Sequence, residues 1–364
     1  QCIGCSYCIL KCPYDVPKYS KRLGIVRKCD MCHSRLTHGE APACVQACPS
    51  SAIRIVRVPQ ETARQRSSKP LLPGAFDSSY TQPTTRYVGE RASKARLTPA
   101  DADLSRAEHT HWPLVLMLVL TQASVGLVFF IACLGGRTLS LSSAVAAAAL
   151  GFAGLAASVL HLGRPLRAWR VFLGLRRSWL SREVVGFGIF APLLVALPLS
   201  QLPLLWPAWL PEEIKRLPAP AAAAAGLACV FCSIMVYVDT RRPRWNATRT
   251  TWQFLATTLG LGAVGTRAFA ASASIWLAIA GAGLLVGKTA LELRDLAGSS
   301  RTARLLRGPE LPLVLARAAL ALAGFAVLAW HAPVAFFLLL SSELVERALF
   351  FRAVDAPRMP GVIA

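Results

Sequence analysis

The sequence predicts a small cysteine-bound α+β domain followed by an all-α bundle of about eight membrane-crossing helices. Two observations predict this. Eight of the eleven cysteines lie within residues 1–48. From Pro113 onward, the 364-residue chain is a succession of apolar runs, each near the roughly 20 residues that a helix needs to cross a bilayer. Composition agrees: 54% of residues are apolar and 16% charged, too apolar a balance for an ordinary soluble protein. The net charge of +21 is almost all arginine, placed in short clusters between the apolar runs. That is the pattern of loops in a multispanning membrane protein, and it argues against nucleic-acid binding.

The cysteines carry the first chemistry. Cys2, Cys5, Cys8 and Cys12 form CxxCxxCxxxCP, the bacterial ferredoxin run for [4Fe–4S] clusters. Three closely spaced thiolates grip three corners of a cubane, and the fourth cysteine ligates a different cluster. Zinc sites use paired CxxC knuckles instead. Cys29 and Cys32 form a further CxxC, followed by Cys44 and Cys48 with a proline after it. The CxxC spacing and the absence of a visible signal peptide argue against disulfides. Residues 1–58 thus read as a partial ferredoxin-like α+β iron–sulfur domain, with all eight cysteines as metal ligands. His33 and His38 read as loop residues. Exchange within the chain would join Cys2, Cys5 and Cys8 with Cys48, and Cys29, Cys32 and Cys44 with Cys12. The chain opens without methionine, one residue before a metal motif, so upstream sequence is expected.

Residues 59–111 are rich in Pro, Ser, Thr and Arg and lack periodicity, so they read as an extended linker. Residues 112–364 form the membrane part, with spans expected near 113–135, 141–162, 184–206, 217–238, 251–270, 272–290, 311–331 and 333–350. Small-residue stretches such as "AVAAAALGFAGLAAS" suit tight packing of membrane helices. Trp112, Trp169, Trp179 and Trp245 read as interfacial belt aromatics.

Ionisable residues in hydrocarbon are functional candidates by default. Counting crossings from the iron–sulfur domain, on side X, places His161, Glu183, Asp239, Arg317, Glu343, Glu346 and Arg347 all near X. Polarity thus gathers in one leaflet. A quinol has an apolar ring and tail, and its hydroxyls must lose protons as electrons leave. A histidine or carboxylate within reach can accept them. His161 and Glu183 flank one loop and can face one pocket. Glu343, Glu346 and Arg347, spaced i,i+3 and i,i+4, read as a charge network that fixes helix packing.

The two cysteine groups, "CIGCSYCILKCPYDVP" and "KCDMCHSRLTHGEAPACVQACP", resemble the third and fourth groups of four-cluster iron–sulfur subunits of molybdopterin oxidoreductases. Dimethyl sulfoxide reductase and respiratory nitrate reductase have such subunits. "HLGRPLRAWR", "SWLSREV", "SIMVYVDTRRPRW" and "ELVERALFFRA" resemble the DmsC/NrfD-like membrane anchor of the dimethyl sulfoxide reductase family. The chain therefore resembles an iron–sulfur subunit's C-terminal part fused to an anchor subunit. The resemblance implies fourth ligands upstream of residue 1 for both cysteine groups. It also implies menaquinol binding at His161 and Glu183, with Arg164 and Arg182 as weaker additions. The expected function is electron transfer from menaquinol through [4Fe–4S] clusters to a separate molybdopterin-containing catalytic subunit, most simply an S- or N-oxide reductase in anaerobic respiration. The partners are then that subunit, membrane lipid and quinol, with no nucleic acid. No catalytic residue is expected in this chain.

Two rivals stand beside this reading. The same wiring run in reverse would serve a sulfite or sulfur-compound dehydrogenase that reduces quinone. A non-enzymatic membrane scaffold or sensor with an iron–sulfur domain is the other. The resemblance implies a multi-pass protein of the bacterial cytoplasmic membrane. Side X carries Arg164, Arg167, Arg170, Arg176, Arg177 and Arg182, then Arg241, Arg242, Arg244 and Arg249, then Arg294, Arg301, Arg304 and Arg307. The opposite side has little beyond Arg137, Lys215, Arg216 and Arg267. Basic short loops mark the cytoplasm, so side X and the iron–sulfur domain are expected there.

Overall fold

The computed structural model describes residues 2–14, 16–67, 71–72, 75–89, 97–99, 107–135, 140–202, 211, 214, 216–270, 272–354 and 360–363. Parts of the linker, and Arg137 and Lys215 from the charge count, lie outside them. The chain divides into two compact units, one mainly Ser105–Asp355 and the other mainly Gly4–Leu104 with Ala356–Ala364.

In the smaller unit, helix α1 (Tyr7–Lys11) precedes an antiparallel pair of strands, β1 (Lys18–Ser20) and β2 (Ile25–Arg27), with Tyr19 opposite Val26. Short helices α2 (His33–Thr37) and α3 (Ala43–Gln46) follow. The expected extended linker contains two short helices, α4 (Gln60–Arg66) and α5 (Ser78–Thr81). Asp77 caps α5 by accepting from Ser79 N at 2.8 Å. Strand β3 (Leu97–Pro99) pairs with β4 (Pro360–Ile363).

The larger unit is a helical bundle. Its long helices are α6 (Trp112–Leu134), α7 (Leu141–Leu160), α8 (Trp179–Leu199), α9 (Pro218–Val238), α10 (Ala247–Phe269) and α11 (Ile275–Leu293). A short α12 (Arg301–Arg307) precedes α13 (Leu311–Val327) and α14 (Ala332–Arg352). Their boundaries have local causes. Ser140, Ser178 and Asn246 accept from the backbone N–H groups of Ser143, Ser181 and Arg249, satisfying donors that a helix start leaves orphaned. Proline sits in the first turn of α6, α9, α13 and α14, where its missing N–H costs nothing.

The helices alternate in direction. At one end, the Arg352 guanidinium donates to Thr110 Oγ1 at 3.0 Å, and the His111 ring lies edge-on to Phe351. At the other end, the Ser142 hydroxyl donates to Phe269 O at 2.6 Å. Five helices are long and apolar enough to cross a membrane: α6, α7, α8, α9 and α11, the last extended to Ala297. A sixth counts if α12 and α13, bent by 73° to each other, form one span. Eight were expected. The shortfall has a cause in α10 and α14, whose interiors carry Gln253, Thr257, Glu343, Glu346 and Arg347, all buried.

Central packing depends on small residues. α6 and α10 meet where Gly126 faces Gly262, and a Cβ on either glycine would overlap the other helix's backbone. Around that crossing, Val119 and Ala123 pack with Leu261, Val264, Ala278, Leu285, Phe336 and Leu339. The outer faces stay apolar: Val145, Phe152, Ile189, Leu315 and Leu322 are exposed. A contiguous apolar exterior of this kind marks a surface made for lipid.

One expectation is corrected. Trp245 is no belt residue but fully buried. It lies in the 3₁₀ turn Pro243–Trp245, stacks on Phe350 at 5.1 Å, and donates from Nε1 to Phe350 O at 3.2 Å. The turn folds the indole inward, and Tyr237 and Phe351 enclose it.

The crossing of α6 and α10 generates a prediction. Gly262→Leu should lower bundle stability by about 3 kcal/mol or more, the upper range for overpacking, because backbone rather than a side chain must move. Thermal unfolding of the detergent-solubilised chain measures it, with exposed Gly287→Leu, which meets nothing within 4 Å, expected to be near neutral.

Candidate functional site

The cysteines of the smaller unit sit in tight loops. Cys8 lies in α1 and Cys12 caps its end, Cys32 precedes α2, and Cys44 lies in α3. Ser6, Met31, Cys32 and Ser51 all take positive φ, so the backbone curls around the thiols. Backbone N–H groups then point at sulfur: Gly4 and Val26 N to Cys2 Sγ at 3.3 and 3.4 Å, Met31 N to Cys29 Sγ at 3.4 Å, and Ala52 N to Cys48 Sγ at 3.3 Å. Such donors stabilise thiolate charge. Ser50 and the Ala52 N–H hold the Cys48 thiol below its usual range. Burial pushes Cys5 and Cys8 up, and each also feels the charge of Cys2. Among the described residues, no three His, Cys, Asp or Glu side chains converge on one metal-ion point. Thiols in curled loops, with N–H groups aimed at the Cys2, Cys29 and Cys48 sulfurs, are a donor set that suits iron–sulfur clusters. His38 is not aimed at them, since its Nδ1 is 2.7 Å from Ser34 O.

In the bundle, His161 caps the end of α7, with Nδ1 2.5 Å from Ser158 O. Burial holds its pKa below the usual histidine value. Glu183 lies in the first turns of α8 and is buried. Its carboxylate accepts from the Ser233 hydroxyl on α9, and among the described residues it has no ion pair. No hydrogen bond joins His161 to Glu183 among those residues. Arg182 is tied to its own loop: Nε and Nη2 donate to Leu175 O and Arg176 O at 3.1 and 2.9 Å, and its guanidinium lies 4.3 Å from the Trp179 ring centroid. It shapes the loop between the two candidates. Arg164 is half-buried at the start of the 3₁₀ segment in that loop.

The sequence reading missed His111. Its ring stacks on His109 at 5.9 Å. Burial lowers its pKa most, with further lowering from His109, His161 and Arg242. Three histidines therefore share one end of the bundle. The signal was present as "HTHWP" immediately before the first apolar run.

The larger surprise is Lys288, fully buried in α11. Its Nζ lies 2.5 Å from Glu343 Oε2, 2.7 Å from Thr257 Oγ1 and 3.3 Å from Glu346 Oε2. Arg347 reaches Glu346 at 3.4 Å and Gln122 Oε1 at 3.2 Å. Arg317 pairs with Glu292 and lies 3.8 Å from Glu343. Three cations thus meet three carboxylates among five helices. The expected packing role of Glu343, Glu346 and Arg347 fits this arrangement, with partners that one-dimensional spacing did not reveal.

Residues 106–280 match the family described as DMSO reductase anchor subunit (DmsC). Residues 1–58 match the 4Fe-4S dicluster domain. The chain thus carries one segment similar to the 4Fe-4S dicluster domain and, after it, one similar to the DMSO reductase anchor subunit. Among curated relatives, it is 41% identical over 85 residues to the B subunit of the anaerobic dimethyl sulfoxide reductase of Haemophilus influenzae, covering 22% of this chain and 40% of that protein. It is 45% identical over 65 residues to the probable anaerobic dimethyl sulfoxide reductase subunit YnfG of Escherichia coli K12, covering 18% and 31%. It is 43% identical over 71 residues to the iron-sulfur subunit of the nitrate-inducible formate dehydrogenase of the same strain, covering 19% and 24%. The chain thus spans well under half the length of these relatives. No solved structure matches it.

The matched anchor segment holds His111, His161, Glu183 and Ser233. Lys288 and its partners on α13 and α14 lie beyond it. Lys288→Met should strip Glu343 and Glu346 of their shared cation. The expected cost is about 3–5 kcal/mol, typical of breaking one side of a buried pair. Denaturation of the detergent-solubilised protein reads this, and Lys288→Arg should recover part of it.

Proposed function

We propose that this chain is the electron-transfer and membrane-anchor part of a quinol-linked molybdopterin oxidoreductase. Menaquinol, or another quinol, gives up electrons near His161 and Glu183. The electrons leave through the [4Fe–4S] clusters to a separate molybdopterin-containing catalytic subunit that reduces dimethyl sulfoxide or a related S- or N-oxide. The observation that carries this is the contrast among buried carboxylates. Glu310, Glu343 and Glu346, like the half-buried Glu292, each face a cation, while Glu183 meets only a hydroxyl. A buried carboxyl without a counter-ion is the group able to exchange a proton.

The clusters would be held by Cys2, Cys5, Cys8, Cys12, Cys29, Cys32, Cys44 and Cys48, and they supply one-electron transfer. The rest is proton handling by this chain. His161 is neutral at neutral pH and can accept a proton at its ring nitrogen. Glu183 and Ser233 form a hydrogen-bonding pair for a quinol hydroxyl. Arg182 positions the loop, and Arg164 stands at its start. Relatives are named for both a reductase and a formate dehydrogenase, so the iron–sulfur part suits either direction of flow. The anchor match favours the reductase.

We read all eight long helices as spans, residues 1–58 as the iron–sulfur domain and residues 112–364 as the anchor. α10 has 23 residues, as many as α6, so both reach about 34 Å. The polar side chains of α10 and α14 point inward, which relieves the bilayer of them.

His161→Ala or Glu183→Gln should lower quinol-dependent turnover by about 10²-fold or more, the scale of a lost proton acceptor. Electron delivery from an artificial donor straight to the clusters should be unchanged. An equal fall in both activities would make the residues structural. Because burial lowers the His161 pKa, quinol oxidation should persist below the ordinary histidine value of about 6.5 and fall only at more acid pH. His161→Ala should lose that acid limb.

The arginine-rich ends should be cytoplasmic. A reporter fused after Ala364 should work only if it is one that is active in the cytoplasm. Activity of a periplasm-only reporter there would reverse the topology and the side on which substrate is met.

A further inference from the structure

The segment between α7 and α8 is a ten-residue 3₁₀ helix, Pro165–Gly174. Such helices seldom exceed three or four residues, and their side chains eclipse every third residue. The sequence here has that three-residue period. Leu166, Trp169, Phe172 and Leu175 form one stripe, Arg164, Arg167 and Arg170 a second, and Pro165, Ala168, Val171 and Gly174 a third.

The small stripe starts exposed at Pro165 and turns inward at Val171 and Gly174. Val171 is buried, and a Cβ on Gly174 would come within 2.6 Å of Ser181 Oγ. The apolar stripe does the opposite: Leu166 is 94% exposed, Trp169 59% and Phe172 64%. The helices that flank the segment are also apolar and exposed where they join it, at Leu160 at the end of α7 and Val184 at the start of α8. Residues 161–182 contain six arginines and no acidic residue. Arg167 and Arg176 are exposed, and the Arg170 guanidinium lies 5.6 Å from the Trp169 ring centroid.

We propose that this 3₁₀ element is a binding site for anionic phospholipid. The apolar stripe enters the acyl boundary, and the arginines Arg167, Arg170 and Arg176 hold headgroup phosphate. An apolar stripe beside a cationic one, at the ends of membrane helices, has the chemistry of an interfacial anchor. Arg is suited to it because its planar fork meets phosphate oxygens in pairs. A soluble acidic partner would explain the arginines but not an exposed apolar stripe between apolar helix ends. The proposal rests on membrane anchoring and not on the quinol site.

The test uses the full chain in nanodiscs of phosphatidylcholine, with or without phosphatidylglycerol. Fluorescence of the wild type minus that of Trp169→Phe isolates Trp169. Its emission should be quenched by brominated phosphatidylcholine and spared by aqueous iodide. Quenching by iodide, or shielding from both, would place the stripe in water or against protein and overturn the proposal. Association of spin-labelled phosphatidylglycerol relative to phosphatidylcholine is the second readout. It should fall about fivefold for each of Arg167→Gln, Arg170→Gln and Arg176→Gln. Dissolved inorganic phosphate should not compete. Unchanged lipid preference, or full competition by free phosphate, would also overturn it. If a charge variant fails to accumulate, the Trp169 measurement decides alone.

Discussion

Charge placed in hydrocarbon has to be matched within the protein, and the bundle is arranged around that requirement. Lys288 has no exposure at all and is met by Glu343 and Glu346 from α14. Arg317 and Arg347 bring two further cations, and Glu292 a third carboxylate. A buried pair of this kind contributes little net stability over apolar packing, yet losing one member is costly. Its value is therefore in register. α11, α13 and α14 supply the charges, and in their mutual arrangement Lys288, Arg317 and Arg347 each face a carboxylate. The Gly126–Gly262 crossing lets α6 and α10 approach closely enough for Gln122 and Thr257 to join that cluster.

The other helices solve the problem differently. α7, α8 and α9 carry few ionisable groups, and the one deep carboxylate, Glu183, is left with Ser233. The bundle thus places its ion-paired carboxylates on one set of helices and a carboxylate that meets only a hydroxyl on another. Neutralised carboxylates lock helices together, while a carboxylate without a cation responds to whatever comes near it.

Local spacing explains what could be read in advance. CxxCxxCxxxCP needs only its own twelve residues, Cys2–Pro13, to define a cluster loop, and the curled backbone at Gly4 and Ser6 is the expected consequence. Apolar runs set helix length directly, because a bilayer demands satisfied backbone over its whole thickness. The i,i+3 and i,i+4 spacing of Glu343, Glu346 and Arg347 already indicated one shared face. The same logic failed for Trp245, where a position near an expected membrane interface suggested a belt aromatic and the 3₁₀ turn directed the ring inward.

The sequence by itself determined the cysteine loops, the positions of the long helices and the presence of ionisable groups near their ends. These depend on neighbours a few residues apart. Only the tertiary structure decided which charges meet. Lys288 and Glu343 are 55 positions apart, and Arg347 and Gln122 are separated by 225. It also decided that His111 stacks on His109 against Phe351, and that Glu183 keeps a hydroxyl instead of a cation. Those pairings follow from helix order and crossing in three dimensions, where small residues let backbones touch, and no periodicity along the chain encodes that order.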